Sequence, residues 1–249
     1  MTYAFEIKWL DEVDSTNNEI TRHLDDIDNL SVVSARNQFA GRGQRGNSWK
    51  VSPGDNLTFS VLIRPGKDGV PEVRALDQFR ISQVTTIAVW DLLCSHGIKA
   101  LIKWPNDIYV GNKKICGMLI ENSLNGAMVG SSILGIGINV NQKEFDPMLM
   151  NPTSMAALTG ERFSTDELLE EFCGILGERL PLLEDPIALT DTYVRLMYRF
   201  GEVHEYTDCK TGKVFKGKIV GVNELGQLVV ENDIGKRKEF AFKEISYII

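Results

Sequence analysis

Gly41-Arg42-Gly43-Gln44-Arg45-Gly46-Asn47-Ser48-Trp49 sets two guanidinium forks among three glycines and closes on an indole. Arginine forks are permanently charged and match the geometry of phosphate or carboxylate. Glycine backbone can approach such an anion closely. With little apolar content to pack, the segment is expected to order only when its ligand arrives, as an anion-gripping lid. Lys103-Trp104-Pro105-Asn106-Asp107 adds a cation, an aromatic, a rigid turn, an amide and a carboxylate within five residues. Proline fixes its own φ and holds the preceding Trp104 extended. Pro105-Asn106-Asp107 alone would be an ordinary turn. Flanked by Lys103 and Trp104, in a chain that also carries the glycine loop, it is read as part of a site.

Lys114 opens a strand-like run, Lys114-Ile115-Cys116-Gly117-Met118-Leu119-Ile120-Glu121. With no histidine suitably placed, a lysine held by a strand is the candidate fixed cation for a developing negative charge. Gly117 on that strand leaves room for a ligand. Asp14-Ser15-Thr16-Asn17 reads two ways. Thr16 with Glu19 fits a capping box at a helix start. The same small hydroxyls and amide, joined by Gln38, would also suit a neutral polar ligand. Gly135-Ile136-Gly137-Ile138-Asn139 is open in the same manner, as a bulge or as a strand against which a ligand lies.

Several classes are excluded. Gly41, Gly43 and Gly46 fit the dinucleotide fingerprint, but Pro53-Gly54 follows where a helix must open, and Ile63-Arg64 stands where the acidic residue belongs. No Walker phosphate loop is present. A net charge of −7 argues against nucleic acid as the main partner. Cys94, Cys116, Cys173 and Cys209 are widely spaced, with His23, His96 and His204 the only histidines, so neither a zinc site nor a disulfide framework is implied. No apolar run is long enough for a membrane helix, and Met1 to Asp14 does not read as a signal peptide. A reduced, cytoplasmic location is expected.

The elements that must position these residues follow from periodicity. Strands are expected over 5–13, 30–35, 57–63, 98–104, 107–110, 114–121 and 127–139, with a Gly111-Asn112 turn. The longest helical pattern covers 72–94, with Gly97 just past its end. A short helix is expected over 18–24. Ser164 with Glu167 starts a helix over 168–180, and Asp185-Pro186 starts another reaching Phe200. After Gly201 short β segments alternate with turns. The expected organisation is therefore a larger domain over 1–200, which carries all of these motifs, and a small barrel over 201–249.

Taken together and in order, the motifs at 14–17, 41–49, 103–107, 114–117 and 135–139 resemble those of the biotin–protein ligase family (biotin–[acetyl-CoA-carboxylase] ligase). The resemblance covers nearly the whole chain and is closest to the short class lacking an N-terminal DNA-binding domain. It implies an α+β fold, a mixed β-sheet catalytic domain of the biotin/lipoate ligase type with an SH3-like barrel. It also implies an ATP- and Mg²⁺-dependent enzyme that makes biotinyl-5′-AMP and passes biotin to a lysine of a biotin carboxyl carrier domain. Carried over by position, Ser15, Thr16, Asn17, Gln38, Arg42, Gly43, Gln44, Trp49, Lys114 and Gly117 would contact biotin. Lys114, Arg42 and Arg45 would be catalytic. Lys103, Asn106, Asp107 and Asn139 would serve the adenylate, with Asp107 the candidate metal ligand and the apolar segment 145–150 a cover for adenine. Many members carry Arg where this chain has Gln44 and Asn47, which implies a looser grip on the adenylate. A homodimer is compatible with the family. The rival readings are a lipoate or octanoate ligase, whose members lack the Gly-Arg-Gly-x-Arg-Gly-x-x-Trp loop, and a non-catalytic biotin sensor.

Overall fold

A computed structural model describes residues 3–43, 49 and 52–249. Seven strands form one sheet: β1 (Glu6–Val13), β2 (Ser31–Gln38), β3 (Leu57–Ile63), β4 (Leu101–Lys103), β5 (Asp107–Val110), β6 (Lys113–Asn125) and β7 (Met128–Ile138). Their spatial order is β1-β2-β3-β7-β6-β5-β4. β1 and β2 run parallel, with Val13 opposite Gln38, and the remaining pairs are antiparallel. A parallel pair needs a crossover, and α1 (Thr16–Arg22) supplies it.

β3 is buried at every residue, and its alternation assigns a task to each face. Leu57, Phe59, Val61 and Ile63 join the main core. There the sheet packs against α2 (Phe79–Ser95), α4 (Thr165–Arg179) and α5 (Pro186–Arg195). Leu62 joins a smaller cluster with Ile20 of α1. Thr58 and Ser60 share the face of Leu62 and are buried polar residues. A short helix, α3 (Met155–Thr159), follows the sheet. As the sequence predicts, Ser164 accepts a hydrogen bond from the Glu167 amide, Asp185 accepts one from the Ala188 amide, and Pro186 takes the first helical position.

The strands expected over 30–35 and 114–121 run on to Gln38 and Asn125, and the helix expected over 18–24 starts at Thr16. Three other expected elements are markedly shortened, each through pairing with distant chain. The helix expected over 72–94 begins only at Phe79. Before it, the Ala75 amide bonds to the Ala127 carbonyl and the Val129 amide to the Val73 carbonyl, each at 2.8 Å. The strand expected over 98–104 shrinks to β4, because the Ala100 carbonyl accepts from the Trp90 indole at 2.8 Å. The helix expected to reach Phe200 stops at Arg195. The chain beyond it exchanges backbone bonds with Ile102 through Leu196 and Tyr198, covering the β4 edge.

From Val203 a second, antiparallel sheet forms from β8 (Val203–Asp208), β9 (Lys213–Val222), β10 (Leu228–Glu231), β11 (Arg237–Phe240) and β12 (Ile245–Tyr247), in the order β11-β10-β9-β8-β12. Its buried residues Tyr206, Ile219 and Leu228 are continuous with the main core. Trp104 links the two sheets: its indole N–H donates to the Gly226 carbonyl at 2.9 Å, in a buried contact, and its ring meets Phe242 edge-on. Trp104→Phe keeps an aromatic ring but leaves that carbonyl unpaired, so it is expected to cost about 1–3 kcal/mol of stability. Urea unfolding measures this, and a loss below ~0.5 kcal/mol would show that the bond does not fasten the second sheet. Among the described residues no helix is long and apolar enough to cross a membrane.

Candidate active site

A cavity of about 550 Å³ opens where the chain leaves β1 and β2, over the glycine-bearing stretches of β6 and β7. Its floor is a polar network. Ser15 is the N-cap of α1 by position but makes no side-chain cap bond. The Thr16 amide donates to Gln38 Oε1 at 2.7 Å, and the Thr16 hydroxyl lies 3.1 Å from the same oxygen. Ser60 Oγ sits 2.5 Å from Asn17 Oδ1 and 2.7 Å from Thr16 Oγ1. Asn17 Nδ2 donates to the Leu119 carbonyl at 3.2 Å and to Glu121 Oε2 at 2.7 Å. Of the two readings of 14–17, the capping box is not formed, since the Glu19 carboxylate pairs with Arg22 and Lys8 instead. With both amide hydrogens of Asn17 spent, the Gln38 amide nitrogen has no hydrogen-bond partner among the described residues. That group and the small hydroxyls suit a neutral ligand carrying both N–H and C=O.

Cations share the cavity with this network. Arg42 and Lys114 line the same cavity. Arg42 pairs with Glu121 Oε2 at 2.7 Å, the oxygen that also holds Asn17. Lys114 Nζ lies 2.8 Å from Asp107 Oδ1 and 5.8 Å from the centre of the Trp49 indole. All four charged side chains of these two pairs are 25–40% exposed. Pairs of that kind contribute only about 0–1 kcal/mol, so an arriving anion can take over either cation at little cost. Lys103 lines the same cavity between the rings of Tyr109 and Tyr247. Burial, more than any neighbouring charge, pulls its pKa below the usual lysine value.

Glycines make the trench in which an apolar ligand chain can lie. Gly117 and Gly137 face each other across β6 and β7. A Cβ at Gly137 would overlap the Trp49 indole, and one at Gly117 would come within 3.0 Å of Lys114 Nζ and 3.1 Å of Trp49. Both positions therefore need glycine for the indole to rest on the sheet. Phe145, Met148, Leu149 and Met150 form an apolar wall, with Met148 and Met150 more than four-fifths exposed.

Of the sequence-predicted residues, Ser15, Thr16, Asn17, Gln38, Arg42, Gly43, Trp49, Lys103, Asn106, Asp107, Lys114, Gly117 and Asn139 all line this cavity. Gln44 and Arg45 lie outside the described residues, as does Asn47. Two of the assigned amides are already engaged in holding backbone: Asn106 donates to the Met118 carbonyl at 2.5 Å and Asn139 to the Thr153 carbonyl at 2.9 Å. Sequence reasoning missed Ser60, Glu121 and Phe242. Ser60 was visible in principle, as a polar residue two positions from Thr58 in an otherwise apolar buried strand. Glu121 ends a strand run of ordinary appearance, and Phe242 reaches the cavity from the turn between β11 and β12.

The model of the biotin/lipoate A/B protein ligase family matches residues 9–139. A biotin–[acetyl-CoA-carboxylase] ligase of Paracoccus denitrificans is 33% identical over 92% of this chain and 95% of its own length. A bifunctional ligase/repressor of Bacillus subtilis is 28% identical over 85% of this chain, which spans 64% of that relative. Among solved structures, the biotin protein ligase of Aquifex aeolicus in complex with biotin and ATP superposes with a TM-score of 0.77 at 26% identity, covering 97% of each chain.

Proposed function

The chain belongs to the biotin/lipoate A/B protein ligase family, and from this premise we propose how its own residues divide the work. The reaction is the ATP-dependent activation of biotin and its transfer to a lysine on a carrier protein, a biotin carboxyl carrier domain. In the first step an oxygen of the biotin carboxylate bonds to the α-phosphorus of ATP, and the bond to the bridging oxygen breaks. Pyrophosphate leaves and biotinyl-5′-AMP remains. In the second step the acceptor amine attacks the acyl carbon, AMP departs, and the amine gives up a proton.

The observation that carries the assignment is that Arg42 and Lys114 line one cavity together with the neutral hydroxyls and amides of Ser15, Thr16, Asn17 and Gln38. The biotin ring takes the polar floor, where Ser60 aligns Thr16 and Asn17, Thr16 holds Gln38, and Ser15 adds its hydroxyl. Its apolar chain lies along Gly117 and Gly137 against Trp49. The carboxylate then arrives beside Arg42 and Lys114. Two anions must meet there, and cations fixed in advance lower the barrier without reorganising during the reaction. Lys114 exchanges Asp107 for the α-phosphate, and Arg42 exchanges Glu121 for the carboxylate. Arg45 and Gln44 belong to the same loop and are proposed to complete the grip on the junction. Lys103 faces the phosphates, Asn106 and Asn139 hold the backbone that shapes the nucleotide end, and residues 145–150 cover the base.

Mg²⁺ neutralises phosphate charge in this chemistry. Among the described residues no three carboxylate, histidine or cysteine side chains cluster as a cage. Asp107, the one carboxylate among the described residues lining the cavity, keeps a second oxygen beyond its contact with Lys114. That donor set fits an ion carried mainly on nucleotide phosphates. We place the catalytic unit at 1–200 and the accessory barrel at 201–249, in a cytoplasmic setting. The test is ATP–pyrophosphate exchange by the purified protein. Biotin is expected to support it and lipoate to fail, and exchange with lipoate alone would overturn the substrate assignment.

A further inference from the structure

Lys103 is held in an unusual way for a half-buried cation. Its Nζ lies 5.0 Å from the centre of the Tyr109 ring and 4.8 Å from that of Tyr247. Among the described residues it has no hydrogen bond, and no carboxylate comes within ion-pair distance. Asp107, the nearest acid to act on it, is engaged with Lys114 at 2.8 Å. The rings themselves are fixed. Tyr109 packs on Tyr198 at 5.6 Å between centres, and Tyr198 stacks on Tyr247 at 6.1 Å. Tyr206 meets Tyr247 edge-on at 5.3 Å. Two of the four tyrosines, Tyr206 and Tyr247, come from the second sheet. Among the described residues the buried Tyr247 hydroxyl has no hydrogen-bond partner, and it is the ring that meets the lysine.

A cation held by ring faces keeps its charge unneutralised, because the ring quadrupole attracts it without supplying a counter-charge. It is also partly stripped of water, which strengthens its pull on an incoming anion. We propose that Tyr247 of β12 is a positioning residue for nucleotide binding: it forms one wall of an aromatic cage that aims Lys103 at the phosphates of ATP. The second sheet thereby acts on the nucleotide end of the site while the biotin end, built from 15–17, 38 and 60, is independent of it. This rests on the ligase reading given above.

Calorimetric titration with a non-hydrolysable ATP analogue, and separately with biotin, tests the cage without requiring turnover. Tyr247→Leu removes the ring and is expected to weaken nucleotide binding about tenfold, at the strong end of a desolvated cation–π contact. Biotin affinity should stay within about twofold of the parent protein, since no biotin-end residue touches the cage. Tyr247→Phe retains the ring, loses only an unpartnered hydroxyl, and should restore nucleotide affinity. In a Lys103→Met background, Tyr247→Leu should cause no further loss. The proposal is overturned if Tyr247→Leu binds nucleotide like the parent, if biotin affinity falls in step, or if the loss persists without Lys103. It is also overturned if Tyr247→Phe is as weak as Tyr247→Leu. An absence of biotin-dependent exchange in the parent protein would count against the ligase reading instead, and the titrations would still decide the cage.

Discussion

Lys114→Ala should lower biotin-dependent ATP–pyrophosphate exchange by about 10²–10³-fold, the effect of removing one pre-aligned donor from a developing charge, or ~3 kcal/mol. The loss should appear in kcat as well as kcat/KM, because the ammonium is matched to charge that peaks in the transition state. The fold should survive. The Lys114 amide donates to the Asn151 carbonyl at 2.7 Å and its carbonyl accepts from the Thr153 amide at 2.9 Å, so the backbone here is pinned whatever the side chain. Asp107, left without its partner, is a quarter exposed and can be solvated. Lys114→Met, which retains most of the stem, should be as inactive as the alanine variant. Exchange within about threefold of the parent, where a lost donor predicts two orders of magnitude, would remove Lys114 from the chemistry.

Gly137→Ala should weaken biotin binding between about tenfold and a hundredfold, the 1–3 kcal/mol that one extra methyl costs in a filled site. The new Cβ would occupy the space of the Trp49 indole. An indole can be displaced more readily than backbone, so the damage should fall on ligand affinity more than on the melting temperature. Among the described residues the buried Trp49 indole N–H has no partner, and displacement of the ring should be visible in the intrinsic fluorescence. A variant that binds biotin normally would show that the ligand chain does not share this trench with Trp49.

The sequence and the fold agree wherever a signal is local. Ser164 with Glu167 and Asp185 with Pro186 announce their helices because a cap is a contact over three residues. β3 and β5 are read to the residue, since alternation and the Gly111-Asn112 turn leave no other register. Misreadings arise where distant chain decides. Residues 73–75 have helical periodicity, yet their backbone is taken by 127–129. Thr16 and Glu19 match a capping box, yet the Thr16 amide goes to Gln38, twenty-two residues on. The site was legible as a set of motifs because each is compact in sequence. Its supports were not: Glu121 acts on partners 79 and 104 residues away, and Tyr247 and Phe242 enter from the far end of the chain.

Strands joined as a hairpin leave the end of one beside the start of the next, so their downstream corners point to opposite rims. β1 and β2 run the same way, with Val13 level with Gln38. The corners carrying Ser15, Thr16 and Asn17 and then Gln38 to Gly43 therefore exit at one rim, shoulder to shoulder. Two stretches of chain separated by a whole helix can thus grasp a single small guest from adjacent sides, and the detour through α1 is the geometric requirement for that two-handed hold.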